Sequence, residues 1–350
     1  MAYKETSNAL DILMEVLHKF ASIHTFGNLY PSLAMATAYP YHQPIEVIHN
    51  AYTAQQTTEI ASRMGTAKAN MRVDKIFTSS FMAGAILAFA CAAVSTVNTA
   101  PWYQENAPGV IKLFAALIFP FGLVAIILTG ADLATGSFMF TTLSTLHHRT
   151  SILKMLQHWV ITFFGNLAGS LFVMAIIAGY GEILSDAAYR TQTIKFATTK
   201  VVHPPWHAIF IRGIGANWLV CLACFLACGA REMVSKIMAI WWPTFAFVIL
   251  GFDHVIANMF YIPMAIFLGA EEITVGLYIW KSMIPALLGN IVGGGLFVGV
   301  VYWYLYLAGN PSPVLIDGSA FGGAPVALFG VNADVEEERS RRESDKADMA

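Results

Sequence analysis

The sequence predicts an all-α integral membrane protein of six transmembrane helices, the second and fifth of them broken, arranged as an inverted 3+3 repeat. Three observations predict it. Hydrophobic residues make up 57% of the chain and charged residues 12%, with a mean hydropathy of +0.59, where soluble domains carry about 25% charged residues. Six apolar runs follow one another at about 76–98, 111–146, 152–180, 206–229, 237–269 and 277–307. Short motifs in the first three runs recur in the last three. The formal net charge of −2, with Lys and Arg scattered through loops, excludes a nucleic-acid partner.

Residues 1–43 are an N-terminal extension to which no structure is assigned, because Lys4, Glu5, Asp11, Glu15 and Lys19 interrupt any signal-peptide core. Residues 44–75 read as a cytoplasmic amphipathic helix and linker. The helix opens at Pro44 and runs to about Ser62, with Ile45, Ile48, Tyr52 and Ile60 at roughly helical spacing and one face against the membrane surface.

The transmembrane domain spans 76–309, with repeats at about 76–180 and 206–307. A bilayer core takes about 20 helical residues, so runs two and five exceed one straight span. Pro120, Gly122, Gly130 and Gly136 surround Asp132 in the second run; Pro243, Gly251 and Pro263 surround Asp253 in the fifth. Both are read as broken helices. Gly130-Ala131-Asp132 recurs as Gly251-Phe252-Asp253 at an offset of 121, and the GNLAG of 165–169 as the GNIVG of 289–293 at 124. Three spans per unit is an odd number, so the second unit enters from the opposite side and the two breaks face each other near the midplane.

Arg63, Lys68, Arg72, Lys75, Arg149, Lys154, Arg231 and Lys236 fall on one side of the six spans, against Lys112, Arg190, Lys195, Lys200, Arg212 and Lys281 on the other. The first side is cytoplasmic by this bias, with both termini inside and the plasma membrane as the expected location. Residues 310–350 are a solvated, disordered tail, since 11 of the last 17 are charged. Cys91, Cys221, Cys224 and Cys228 all lie in apolar runs, and Cys221-x2-Cys224 reads as helix packing.

A charge at mid-bilayer costs about 2.5–3.5 kcal/mol, so the polar residues of the breaks need a role. Asp132 and Asp253 are expected to accept backbone N–H groups and cap the broken helices. His254, with Asn258 one helical turn on, is expected to face a pore, because a neutral imidazole can hand on a hydrogen bond or a proton. The competing assignment is a satisfied core histidine. A membrane metalloenzyme is disfavoured: no span offers an HExxH or a second histidine beside His254, and Pro204 and Pro205 separate His203 from His207. No metal, cofactor or enzymatic activity is expected. A water or small neutral-solute pore and a small-ion channel or carrier fit the pattern comparably, and the histidine has a use in the second.

Three motifs then resemble the formate–nitrite transporter family across about Pro44 to Gly309: ILTGADLATG at 127–136, GIGANWLVCLA at 213–223 and GFDHVIANMFYIP at 251–263. The resemblance implies a homopentamer of aquaporin-like protomers in the lipid bilayer, each passing small weak-acid anions, nitrite first and formate next, with protons. It also implies site residues. His254 corresponds to the central histidine, Asn258, Asn217 and Thr135 to its polar neighbours, and Asp253 to a position where many members carry Glu. Phe119 and Phe247 correspond to the outer constriction, Leu123, Leu133 and Ala134 to the cytoplasmic one, with Ala134 in place of a usual Phe, and Lys200 to a vestibule lysine. The extensions at both ends lean towards a eukaryotic nitrite carrier.

Overall fold

The computed structural model describes residues 51–309 and 314–316. The N-terminal extension, the start of the expected surface helix and the tail apart from 314–316 lie outside the described residues. Regular structure among those described is helical, with nothing longer than an isolated bridge such as Ala51 to Ala230 in extended pairing.

Helix α1 covers Ala54–Asn70. It starts well after Pro44 because Thr53 and Gln56 form a capping box: the Thr53 hydroxyl accepts from Gln56 N, and the Gln56 side chain accepts from Thr53 N. Its inner face, including Thr58, Glu59, Ile60, Ser62 and Lys68, is buried within the protein. That face packs on helix α5 (Ala134–Leu146) and not on a bilayer surface.

Five helices are long and apolar enough to cross a membrane: α2 (Val73–Asn98), α4 (Pro108–Thr129), α6 (Ile152–Gly179), α8 (Trp206–Gly229) and α11 (Val275–Tyr306). Short α3 (Pro101–Asn106) and α7 (Ala187–Val201) connect them. The second apolar run divides into α4 and α5 at 130–133. The fifth divides into two shorter apolar helices, α9 (Met233–Ile249) and α10 (Val255–Phe267). Each division begins at a left-handed glycine, Gly130 with φ 76° and Gly251 with φ 70°, a conformation that side chains with a Cβ adopt only under strain.

Helix α2 packs along α6, and α8 along α11. In both pairs a small residue lets backbones touch. A Cβ at Gly169 would lie 1.9 Å from the Phe81 carbonyl oxygen, and one at Gly293 would lie 2.2 Å from that of Ile214. These are the last glycines of the two GNxxG motifs. Within the segment assigned to the tail, Leu315 accepts a hydrogen bond from Gln56 on α1 and Ile316 is buried.

Candidate functional site

The two divided helices leave backbone groups that must be paired in an apolar interior. Asparagines do this. Asn166, from the first GNxxG motif, accepts from Ala134 N at 2.9 Å and donates to the carbonyls of Asp132 (3.0 Å) and Ser80 (2.7 Å). Asn290, from the second, accepts from Val255 N at 2.9 Å and donates to those of Asp253 (3.2 Å) and Gly213 (2.8 Å). The same residue does the same work at equivalent places in the two halves.

The aspartate side chains therefore do not cap, contrary to the expectation from sequence. An ionised carboxylate only accepts, and here cations take it. Asp132 meets Lys68 Nζ through Oδ1 at 2.9 Å and His158 Nε2 through Oδ2 at 2.9 Å, with the Ser137 hydroxyl donating to Oδ1 at 2.6 Å. Asp253 lies 3.1 Å from Lys200 Nζ and 3.9 Å from Arg212. Lys200 also donates to the carbonyls of Gly251 (2.8 Å) and Phe252 (3.0 Å), closing the break from the other side.

Between the two breaks sits His254, the N-cap of α10 and 3% exposed. Its Nδ1 accepts from Ala257 N at 3.2 Å, which fixes the lone pair on that nitrogen. The proton of the neutral ring is then on Nε2, 2.9 Å from Thr135 Oγ1, and donates to it. Thr135 receives a hydrogen bond and keeps its own hydroxyl proton to give. Asn217 on α8 ties the halves together by donating to the carbonyls of Thr135 (3.0 Å) and Asn290 (2.7 Å), and the Cys221 thiol also donates to Thr135 O at 3.3 Å.

Phe119 and Phe247 meet edge to face with centroids 5.5 Å apart, and Phe247 stands 5.9 Å from the His254 ring. These buried rings and the imidazole form one run of edge-to-face contacts. Leu123, Leu133 and Ala134 are buried, with Leu133 and Ala134 at the first break. Asn258 follows one turn after His254, its N–H donating to the His254 carbonyl at 2.9 Å and its amide to Ser282 on α11 at 3.1 Å. Sequence reasoning missed Asn166, Asn290, Lys68 and His158. The repeated GN dipeptide was the available signal for the asparagines. His158, buried in α6, is a second intramembrane histidine, although it joins Asp132 and not His254.

The formate/nitrite transporter family model matches residues 55–304. A probable formate transporter of Methanothermobacter thermautotrophicus is 36% identical over 264 residues, covering 72% of this chain and 96% of the relative. Among solved structures, an FNT family ion channel superposes with a TM-score of 0.62 at 28% identity, over 72% of this chain and 98% of that one. A pentameric formate channel with formate bound gives 0.60 at 30% identity, over 67% and 98%.

Proposed function

Because this chain belongs to the formate/nitrite transporter family and is an integral membrane transporter, not an enzyme, we propose that it carries small monovalent weak-acid anions, nitrite by preference and formate next, together with a proton. Each protomer of a homopentamer holds its own pore. The six spans form an aquaporin-like inverted 3+3 repeat, with α4–α5 and α9–α10 as its broken second and fifth members. The paired breaks, each with a left-handed glycine, an asparagine clamp and an aspartate–lysine pair, support this reading.

One observation carries the function: the buried His254–Thr135 pair beside the Phe119–Phe247 stack. An anion passing apolar rings loses its water, and a bare charge there is costly. A fixed donor just beyond the rings shortens that barrier, and a proton joining the anion removes it. Thr135 supplies the donor, oriented by the imidazole; Lys200 and Arg212, together outweighing Asp253, draw anions to the outer vestibule. With its lone pair held by Ala257 N, the neutral ring is a hydrogen-bond donor and not a free base. On the cytoplasmic side Leu123, Leu133 and Ala134 form the second constriction, wider for the lack of a ring at Ala134.

The test is uptake of labelled nitrite and formate into proteoliposomes, compared with water and glycerol permeability. Saturable anion uptake, faster for nitrite, is expected. Water or glycerol flux without anion flux would replace this reading with a neutral-solute pore.

A further inference from the structure

Two histidines are sealed inside the described structure, and they differ at one atom. In His254 the Nδ1 lone pair is taken by a backbone N–H. In His158, Nε2 faces Asp132 Oδ2 at 2.9 Å, so the neutral ring carries its proton there, and Nδ1 is buried with no hydrogen-bond partner. Of the two, the bare lone pair of His158 is the one that can take a proton without breaking a helix cap.

The charges around His158 are few. Asp132 and Lys68 form a neutral pair beside it. Of the elements packed on α6, α5 and α10 carry no charged residue, and α2 carries only Asp74 and Lys75 in its exposed first turn. Apart from Lys68, α1 contributes Glu59 and Arg63, which pair with each other, Glu59 also pairing with Arg149. A proton on His158 would thus change its cluster from net zero to net +1. The equivalent cluster at the other break already has that charge permanently, since Asp253 faces both Lys200 and Arg212. The fold holds one such arrangement beside a buried aspartate, with Arg212 44% exposed at its edge. In the Asp132 cluster the second cation is sealed and arises only with the proton.

We propose that Nδ1 of His158 is a proton-binding site of the transporter, which turns the neutral Asp132 cluster into an anion-attracting one. This rests on the weak-acid transport reading above. Only an N–H bond forms and breaks; the proton comes from solution and returns to it. When the site is loaded, the two breaks present matched positive fields and the anion meets no asymmetric step between them. When it is empty, the anion is favoured on the Lys200 side alone.

The experiment uses full-length protein in proteoliposomes at equal internal and external pH from 5 to 8, so that no proton gradient drives flux. His158→Gln places an amide N–H where Nε2 sits and keeps the bond to Asp132, but takes up no proton. The flux ratio of variant to wild type should be near one at pH 8 and fall by about threefold to tenfold at pH 5, the order of effect of one added, well-screened unit charge. A flat ratio overturns the proposal. Independently of assembly of the variant, solid-state NMR of wild-type protein with ¹⁵N-labelled histidine, run at the two ends of the pH series, should show one solvent-protected Nδ1 that carries a proton at the acid end and none at the other. No protected resonance titrating would overturn it equally. If no anion flux occurs at any pH, the transport reading fails while the NMR result still decides whether His158 binds the proton.

Discussion

At the scale of single residues, buried backbone decides which polar side chain goes where. An asparagine amide both donates and accepts, so one side chain can satisfy the N–H after a break and two carbonyls around it, which no carboxylate can do. Asn290 makes all three bonds, to Val255 N and to the carbonyls of Asp253 and Gly213. Asn290→Ala removes the partner of Val255 N and of the Asp253 carbonyl in a dry interior, at about 1–3 kcal/mol for each unsatisfied group. Gel filtration should show a marked loss of assembled oligomer. Asn290→Asp, which can still accept from Val255 N, should lose less, and equal recovery of Asn290→Ala and wild type would show that the break is held by other contacts. The glycines and aspartates of the breaks were legible in the sequence because their residue types are rare in apolar runs. The clamps were not, because an asparagine in a GNxxG motif reads equally as a packing residue until its partner backbone is located.

At the scale of elements, small residues and one buried carboxylate set how helices dock. Helix α1 is fastened to the turn after α5 through Glu59, which accepts from Arg63 Nε and Arg149 Nη2, each at 2.7 Å, while Arg149 also reaches the Ser62 hydroxyl. Burial pushes the Glu59 carboxyl up, but the hydrogen bonds and charges of Arg149 and Arg63 outweigh it and hold it below its ordinary range. A carboxyl held low in the folded state stabilises it above its unfolded value of about 4.3 and loses that contribution as pH falls through the folded value. Hydrogen exchange in α1 should therefore be faster in Glu59→Gln than in wild type at pH 7, with the difference shrinking as acid carries the pH through the lowered folded value of Glu59. A difference that persists unchanged in acid would place the fastening elsewhere. The sequence showed an amphipathic helix here but not its start or its partner: Thr53 and Gln56 cap it locally, whereas the surface it covers, on α5, is 78 residues away in the chain at the Thr66–Ser144 hydroxyl pair.

At the scale of the whole molecule, the proposed pore depends on two helix breaks that share a glycine, an aspartate and an asparagine clamp and differ where chemistry is needed. The residue after Asp132 is Leu133, and the residue after Asp253 is His254, so one break presents an apolar side chain and the other an imidazole. That imidazole has two tasks, which separate by substitution. Its Nδ1 caps α10 at Ala257 N, and its Nε2 orients Thr135. The backbone at His254, φ −106° and ψ 122°, is the extended conformation of an ordinary N-cap, where asparagine is among the preferred residues. His254→Asn should keep the cap, being too short to hold Thr135, and so leave oligomer recovery as in wild type while anion flux collapses. His254→Phe removes both bonds, and besides losing flux it should lower recovery, because Ala257 N is left unpaired at about 1–3 kcal/mol. Both are measured on purified protein, recovery by gel filtration and flux with labelled nitrite and formate between pH 5 and 8. Well-assembled His254→Asn with undiminished flux would show that the imidazole serves only to cap α10, and that anions cross by some route other than the one between the two breaks.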